Sequence, residues 1–237
     1  MVNSLLAISS APYRLSGTVY GTMLNHTGAL AALGDAVNHA PYMAPPRAPV
    51  LYLKPRNTLA TSGALVTVPR EFGELEIGAS LGLVIGRTAC RVSEAQALAH
   101  LAGYVVVADL SVPHSSFYRP SIRFKARDGS CLIGPPVLPC DAVGAPDALG
   151  LQVTVDGRAM QQTSTGGMQR SAARLLADVT EFMTLRPGDV LMLGVPAGAP
   201  RACAGQRFAI SIAGLGELEG SLVAEWVPER VTEERAA

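Results

Sequence analysis

The sequence predicts an α+β domain in which β-strands dominate. Short runs rich in branched apolar residues recur along the chain, and 24 glycines and 17 prolines separate them at short intervals. Segments with a helical pattern are few and do not alternate with the strands as they do in βαβ units. With 237 residues, of which 49% are hydrophobic and 16% charged, the chain can bury a full core and lacks the composition of a disordered protein.

Seven apolar runs are predicted as strands, several of them buried on both faces. The runs lie at 50–53, 64–68, 81–85, 104–108, 151–155, 190–193 and 208–212. Asp156-Gly157 follows the fifth run and predicts a tight hairpin, because both residues tolerate a positive φ. The segment from Leu185 to Asp189 is predicted as a turn in which a proline fixes φ. The glycine-rich segment from Gly214 to Gly220 is predicted as a turn between two late strands.

Three segments are predicted as helices. The first is alanine-rich and runs from Thr27 to Asn38. The second follows Ser93, whose position three residues before Gln96 is typical of a capping box. The third runs from Ser171 to Phe182 and carries an apolar stripe that would lie on a core.

The composition excludes several classes of protein. Nineteen basic and nineteen acidic residues cancel, so the net charge does not attract nucleic acid or an anionic membrane. The four cysteines form no CxxC pair and are predicted as buried thiols in a reducing compartment. The sequence shows neither a signal-peptide pattern nor an uninterrupted apolar run of about 20 residues, which predicts a cytoplasmic protein. These cysteines are Cys90, Cys131, Cys140 and Cys203.

Metal-binding patterns are weak. The four histidines share no spacing typical of a transition-metal site. Glu74 and Glu76 form an ExE pair, and on a strand both carboxylates would point to the same side. We interpret this pair as a solvated strand end. The histidines are His26, His39, His100 and His114.

The basic residues give a second indication of a site. Seventeen of the nineteen are arginines, and the only lysines are Lys54 and Lys125. A rare lysine can mark a position that needs a compact charge or a titratable amine. Four cations fall between Arg119 and Arg127, in a segment that either binds a polyanionic small molecule or is a solvated loop. Both interpretations remain open from the residues alone.

Five motifs, in this order and at this spacing, resemble the fumarylacetoacetate hydrolase family across Gly17 to Val223. They are LGLVIGR at 81–87, AGYVVVAD at 102–109, KARDG at 125–129, TLRPGD at 184–189 and GVPAG at 194–198. The resemblance implies a mixed β-sandwich or roll. It also implies a domain over residues 17–228, between an N-terminal extension at 1–16 and a frayed charged tail at 229–237.

Two longer segments, 40–57 and 116–129, resemble the first half of one branch of the family, the isomerase/decarboxylases of 4-hydroxyphenylacetate degradation. These occur as one chain with two homologous halves or as two subunits. The resemblance implies decarboxylation of 5-oxopent-3-ene-1,2,5-tricarboxylate and ketonisation of 2-hydroxyhepta-2,4-diene-1,7-dioate. It also implies a homologous second subunit that holds Mg²⁺ or Mn²⁺, in a homo- or heterodimer.

The metal-ligand positions of the family are only partly retained in this sequence. Asp109 takes the position of the third metal ligand, but the two ExE positions fall on Gly78 and Ser80. Glu74 and Glu76 lie four residues earlier, a displacement of about 13 Å along a strand. Asp109 is thus the only retained ligand position, and we expect no metal or other cofactor in this chain.

The resemblance also implies catalytic and binding residues. Lys125 matches the active-site lysine, and Thr165 matches a threonine that contacts the ligand. The histidine and glutamate of the family's N-terminal lid fall on Ala29 and Ala32, and Val195 takes the place of a threonine. We therefore expect Lys125 and His26 to be catalytic. The expected substrate-binding residues are Arg119, Arg127, Lys54 and Thr165.

Two functions from different classes follow from these expectations. In the first, the chain is part of a working isomerase/decarboxylase. In the second, it is a non-catalytic partner that stabilises a metal-bearing homologous subunit. The loss of the ExE and lid residues favours the second, and the retained lysine favours the first.

Overall fold

The computed structural model describes residues 17–118, 122–134 and 136–226, which fold into two β-sheets and a few short helices. The larger sheet has the strand order β2-β1-β10-β5-β6-β7-β3, and β11 pairs with one end of β5. The smaller sheet has the order β4-β13-β12-β8-β9. Parallel pairs (β1 with β10, β3 with β7, β4 with β13) occur among antiparallel ones, which confirms the predicted α+β class with a mixed, strand-dominated architecture.

The strands are β1 (Val19–Met23), β2 (Val50–Lys54), β3 (Leu59–Thr61), β4 (Leu65–Val68), β5 (Glu74–Ile85), β6 (Leu101–Ser111), β7 (Cys131–Ile133), β8 (Gly150–Val155), β9 (Arg158–Ser164), β10 (Val190–Met192), β11 (Arg201–Cys203), β12 (Arg207–Ile212) and β13 (Gly216–Ala224). The α-helices are α1 (Thr27–Ala31), α2 (Glu94–Ala97), α3 (Ile122–Lys125) and α4 (Ala172–Phe182). Short 3-10 helices cover Gly34–Asn38, Arg56–Thr58, Leu98–His100, Cys140–Ala142 and Thr165–Gly167.

Five of the seven predicted runs lie within strands, and the other two extend one residue beyond β4 and β10, at Ala64 and Leu193. The Asp156-Gly157 hairpin is confirmed, with φ of 49° and 75° at its two central residues. The turn predicted from Gly214 to Gly220 is wrong over most of its length, because β13 begins at Gly216. From there buried and exposed positions alternate, as the pleat of a strand requires. Glycine content alone does not distinguish this strand from a turn.

The third predicted helix is confirmed as α4, and the Ser171 side chain accepts a hydrogen bond from the Arg174 amide at its start. The first is shorter than predicted, because Gly34 adopts a φ of +52° and ends the regular backbone after α1. In the second, the Ser93 hydroxyl lies 3.4 Å from the Gln96 side chain and makes no capping bond to the backbone. The expected capping box therefore forms only in part.

Strands β5 and β6 lie side by side in the middle of the larger sheet and are covered on both faces. Odd-numbered residues of β5, such as Ile77 and Leu81, pack into the core that includes the smaller sheet and α4. The opposite face of β5 carries Glu76, Gly78 and Ser80. It is continuous with the face of β6 that carries Asp109, because Gly78 and Asp109 are register partners. The ExE-related positions and Asp109 thus share one side of the sheet.

The cysteines are all free, but their burial differs from the prediction. Cys131 is buried, and its surroundings raise the pKa of its thiol to about 12, chiefly through burial. Cys90 and Cys203 are exposed, so the expectation of buried thiols is wrong for these two. Within the described ranges, no helix is both long and apolar enough to cross a membrane.

Candidate functional site

A cavity of about 320 Å³ lies against the shared face of β5 and β6. One wall, the floor, carries four acidic or basic side chains, and the opposite wall, the lid, is formed by α1 and by the loop after β10. The acidic and basic side chains are Glu76, Asp109, His114 and Lys125. The arrangement combines an apolar lid with a charged floor, which is typical of a small-molecule site.

Asp109 lies at the centre of this floor and is almost completely buried. Its Oδ1 is 2.6 Å from Lys54 Nζ, its Oδ2 is 2.9 Å from Lys125 Nζ, and the Tyr52 hydroxyl donates a hydrogen bond to Oδ2. Burial alone would raise the pKa of Asp109, but the two ammonium groups outweigh it and hold this pKa below its usual range. Asp109 is therefore an anion that forms ion pairs with two lysines.

The two lysines differ in what else they contact. Lys54 Nζ donates to the carbonyl oxygens of Lys125 (2.6 Å) and Leu110 (3.2 Å) and lies 3.3 Å from Ser130 Oγ, and its side chain is fully buried. The structure thus encloses Lys54 behind Asp109 and does not place it on the cavity wall described above. Lys125 lies on that wall with 11% of its side chain exposed, and its ammonium is 4.8 Å from the centre of the Tyr52 ring.

Glu76 is a member of the cavity that the sequence interpretation missed. It is half-buried, and burial raises the pKa of its carboxyl, while electrostatic interactions with Lys125, His114 and Arg201 oppose this rise. The interpretation as a solvated strand end holds for Glu74, which forms a 2.9 Å ion pair with Arg201, but it does not hold for Glu76. The signal for Glu76 was its i, i+2 relation to Gly78, which places both on the cavity side.

His114 was also missed, because its spacing from the other histidines fits no metal motif. Its Nδ1 lies 2.9 Å from the carbonyl oxygen of Val112. Its ring centre is 5.4 Å from that of Phe117 and 5.5 Å from that of Phe124. Its Nε2 is buried and makes no hydrogen bond to any described residue.

His26 lies beside the cavity, where it begins α1. Its Nδ1 accepts hydrogen bonds from the amides of Gly28 (3.1 Å) and Ala197 (3.4 Å), and burial lowers the pKa of the ring. This environment uses the neutral imidazole as a helix cap. The structure therefore brings His26 close to the cavity but does not place it among the residues of its described wall.

Two further residues that were expected to contact the substrate, Thr165 and Arg127, do not line the cavity. Thr165 is buried, and its Oγ1 accepts a hydrogen bond from the Leu149 amide at 2.9 Å. Arg127 lies 4.0 Å from a carboxylate oxygen of Glu225. Arg119 lies outside the described residues, as do the expected extension at 1–16 and tail at 229–237.

The donors at the family's metal positions do not match a divalent cation site. Both oxygens of Asp109 face ammonium groups, and Ser80 Oγ is used by the Gly194 amide at 3.2 Å. A Cβ on Gly78 would lie 2.6 Å from the Asp109 carbonyl oxygen and 3.1 Å from a Val195 methyl, so no longer side chain fits there as the backbone stands. In the described part of the chain, no three His, Cys, Asp or Glu side chains form a group that could hold a metal ion. Hard cations of this kind need several oxygen ligands.

At the positions of the family's lid residues, this chain carries alanines and a valine. Ala29 and Ala32 line the cavity from α1, and Val195 lines it from the loop after β10. Each presents only methyl groups, which cannot transfer a proton or donate a hydrogen bond. The acidic and basic side chains that line this cavity therefore all lie on the floor.

Comparisons with known proteins agree with this geometry. Residues 18–223 match the family model of the fumarylacetoacetate (FAA) hydrolase C-terminal domain. The chain is 38% identical over 212 residues to the 4-hydroxyphenylacetate degradation bifunctional isomerase/decarboxylase of Escherichia coli, a match that covers 89% of this chain and 48% of that protein. The chain thus spans about half the length of this relative.

Two solved structures have the same fold. Fumarylpyruvate hydrolase from Pseudomonas aeruginosa, in complex with Mn²⁺ and pyruvate, superposes with a TM-score of 0.76 at 27% identity and covers 88% of this chain and 90% of its own. The 2-hydroxyhepta-2,4-diene-1,7-dioate isomerase from Mycobacterium marinum superposes with a TM-score of 0.74 at 26% identity, covering 90% and 77%. The chain belongs to the fumarylacetoacetate hydrolase family.

Proposed function

We propose that this chain is a subunit of the isomerase/decarboxylase of 4-hydroxyphenylacetate catabolism, which acts on 5-oxopent-3-ene-1,2,5-tricarboxylate and 2-hydroxyhepta-2,4-diene-1,7-dioate. The observation that carries the proposal is Lys125, whose ammonium reaches the cavity wall in a chain 38% identical to an isomerase/decarboxylase of this catabolism. We propose Lys125 as the residue that contacts the reacting end of the substrate.

The charge of the floor supports this role. Two ammonium groups surround one carboxylate, so the cluster of Lys54, Asp109 and Lys125 has a net charge of about +1 in a site of reduced dielectric. Loss of CO₂ from the substrate leaves a dienolate, whose oxygen needs a nearby positive charge or hydrogen-bond donor. Lys125 can supply both, and Lys54 acts behind it by holding Asp109.

We propose further that Mg²⁺ or Mn²⁺ is bound by a homologous second subunit and not by this chain. The ammonium groups on Asp109 and the closed space at Gly78 support this assignment. Calorimetric titration of the purified chain with Mg²⁺, Mn²⁺ and Ca²⁺ tests it. Stoichiometric binding would contradict it.

The catalytic proposal is tested by turnover. The chain is purified alone and together with a metal-bearing homologous subunit, and loss of substrate absorbance is followed with added Mg²⁺. We expect Lys125→Ala to lower the rate about 100-fold or more while Arg127→Ala changes it less than twofold, since Arg127 points to Glu225. Activity of the pair that survives Lys125→Ala would remove this cavity from catalysis.

The second candidate is a non-catalytic partner that stabilises the metal-bearing subunit. The methyl-lined lid and the absence of carboxylates at positions 78 and 80 favour it. In that case the second subunit alone retains its full rate per site, and adding this chain raises its melting temperature. The two candidates thus differ in whether the rate or only the stability depends on this chain.

A further inference from the structure

We propose that His114 is the proton-transfer residue of this cavity, taking a proton from the carbon next to the carbonyl of a bound 2-oxo acid. The inference rests on the proposed function and deepens it. It moves the acid–base group from the lid, where Ala29 and Ala32 stand, to the floor that carries Lys125.

The hydrogen bonds of His114 determine its tautomer. A backbone carbonyl oxygen can only accept a hydrogen bond, so the 2.9 Å contact with Val112 requires a proton on Nδ1. In the neutral ring Nε2 then carries the lone pair and is the basic atom. The contact with Val112 thus keeps His114 in the form that a general base needs.

The surroundings of Nε2 favour a ligand as its partner. Nε2 is shielded from solvent and has no hydrogen bond to any described residue, and leaving a buried polar atom unpaired is unfavourable. Stacking on Phe124 and contact with Phe117 hold the ring in place. The same ring forms part of the cavity wall, so a ligand in the cavity lies next to His114 and reaches Nε2 once the packing around the ring opens slightly.

Two charged groups complete the arrangement. Lys125 lies on the same wall, and Glu76 is close enough to interact electrostatically with both His114 and Lys125. An imidazolium formed at His114 would be stabilised by the Glu76 carboxylate, and a negative oxygen by the Lys125 ammonium. Acid, base and oxyanion partner therefore surround one cavity.

The step is a reversible enolisation. The C–H bond next to the carbonyl breaks, its proton moves to His114 Nε2, and its electron pair forms a carbon–carbon double bond. The carbonyl π pair moves to the oxygen, which faces Lys125. Return of a proton from Nε2 to a carbon restores the keto form or, in a diene, shifts the double bond. No electrons are gained or lost, and no co-reactant is needed.

Pyruvate is the probe, because exchange of its methyl protons in D₂O, followed by ¹H NMR, measures this step directly. We expect the wild-type chain to catalyse exchange and His114→Gln to slow it about 100-fold, in the range of general acid–base catalysis. Binding of oxalate, a mimic of the pyruvate enolate, should change less than threefold. Glu76→Gln, on another strand, should slow exchange about tenfold.

His100→Gln is the matched control, since His100 Nδ1 also lies 2.9 Å from a backbone carbonyl, that of Thr88, but the residue does not line the cavity. It should exchange at the wild-type rate. Melting curves of all variants show whether each is folded. If His114→Gln does not fold, Glu76→Gln decides the question, because a folded Glu76→Gln that exchanges pyruvate protons at the wild-type rate overturns the inference.

The outcomes separate the two proposals. If the substrate is turned over but His114→Gln exchanges pyruvate protons at the wild-type rate, the inference is overturned and the proposed function stands. A wild-type chain that binds oxalate without exchanging pyruvate protons also overturns it. If the wild-type chain neither binds oxalate nor affects turnover with the second subunit, the proposed function fails and the inference fails with it.

Discussion

The two lysines contact the same carboxylate from opposite sides. Lys54 is sealed behind Asp109 among carbonyl oxygens, whereas Lys125 ends at the cavity. One residue type with one shared partner therefore serves two purposes. The sealed side fixes the structure, and the open side leaves a positive charge available to a ligand.

Both ammonium groups lie within about 3 Å of one carboxylate, but we expect Lys54 to contribute to stability and Lys125 to ligand binding. A buried ion pair is costly to form but far more costly to break by removing one partner. Substitutions on the sealed side should therefore lower the free energy of unfolding, and those on the open side should mainly weaken binding.

Asp109→Asn breaks both sides at once and should have the largest effect. It leaves two ammonium groups without their anion, so we expect the free energy of unfolding to fall by about 3–5 kcal/mol at pH 7. Urea unfolding measures it. A loss below about 1 kcal/mol would show that the cluster contributes little to stability.

The difference in unfolding free energy between wild type and Asp109→Asn should depend on pH. The pKa of Asp109 is lowered in the folded chain, so its stabilisation is complete above the unfolded value of about 3.9 and is lost as the pH falls toward the folded value. The difference between wild type and Asp109→Asn should therefore be constant from pH 7 to pH 5 and shrink below about pH 4. A difference that shrinks between pH 7 and pH 5 would indicate another group.

Lys54→Met and Lys125→Met sharpen the comparison by separating its two sides. Lys54→Met should cost about 3 kcal/mol of unfolding free energy, because it also removes the hydrogen bonds that the ammonium donates to the carbonyls of Leu110 and Lys125. Lys125→Met should cost about 1 kcal/mol but weaken oxalate binding about 10- to 100-fold, since a charged hydrogen bond contributes about 1.5–3 kcal/mol. If Lys54→Met and Lys125→Met changed the unfolding free energy equally and weakened oxalate binding equally, the two lysines would not have distinct roles.

Much of the fold follows from local sequence signals. The branched apolar runs became strands, and Asp156-Gly157 became a hairpin, because these features depend on neighbouring residues. Strands such as β3 and β11 were not predicted. They are three residues long and form by pairing with β7 and β5, so their signal lies in distant partners.

The residues of the site also differ in whether local sequence signals identify them. Asp109 and Lys125 were identified from motifs, whereas Glu76 and His114 depend on which way a strand faces and on where a loop returns. Lys54 was expected to bind substrate, but its role depends on carbonyl oxygens from residues 110 and 125, far away in sequence. No local pattern contains that information.

Gly78→Ala tests the closed space beside Asp109. The new methyl group would lie 2.6 Å from a backbone oxygen, so we expect a loss of about 1–3 kcal/mol from overpacking. Gly144→Ala is the control, because nothing lies within 4 Å of its Cβ position. Thermal melting compares the two. Equal melting temperatures would show that position 78 can take a longer side chain.

Lys54 also joins segments that are far apart in sequence. Its ammonium links the end of β2 to residues 109 and 110 of β6, to the last residue of α3 and to Ser130. These segments can separate only if a charge leaves its shell of oxygens, so we expect their amides to exchange with solvent as one cooperative unit. The part of the floor that presents Lys125 would then behave as a rigid block, and any opening that admits a ligand would come from α1 and the loop after β10.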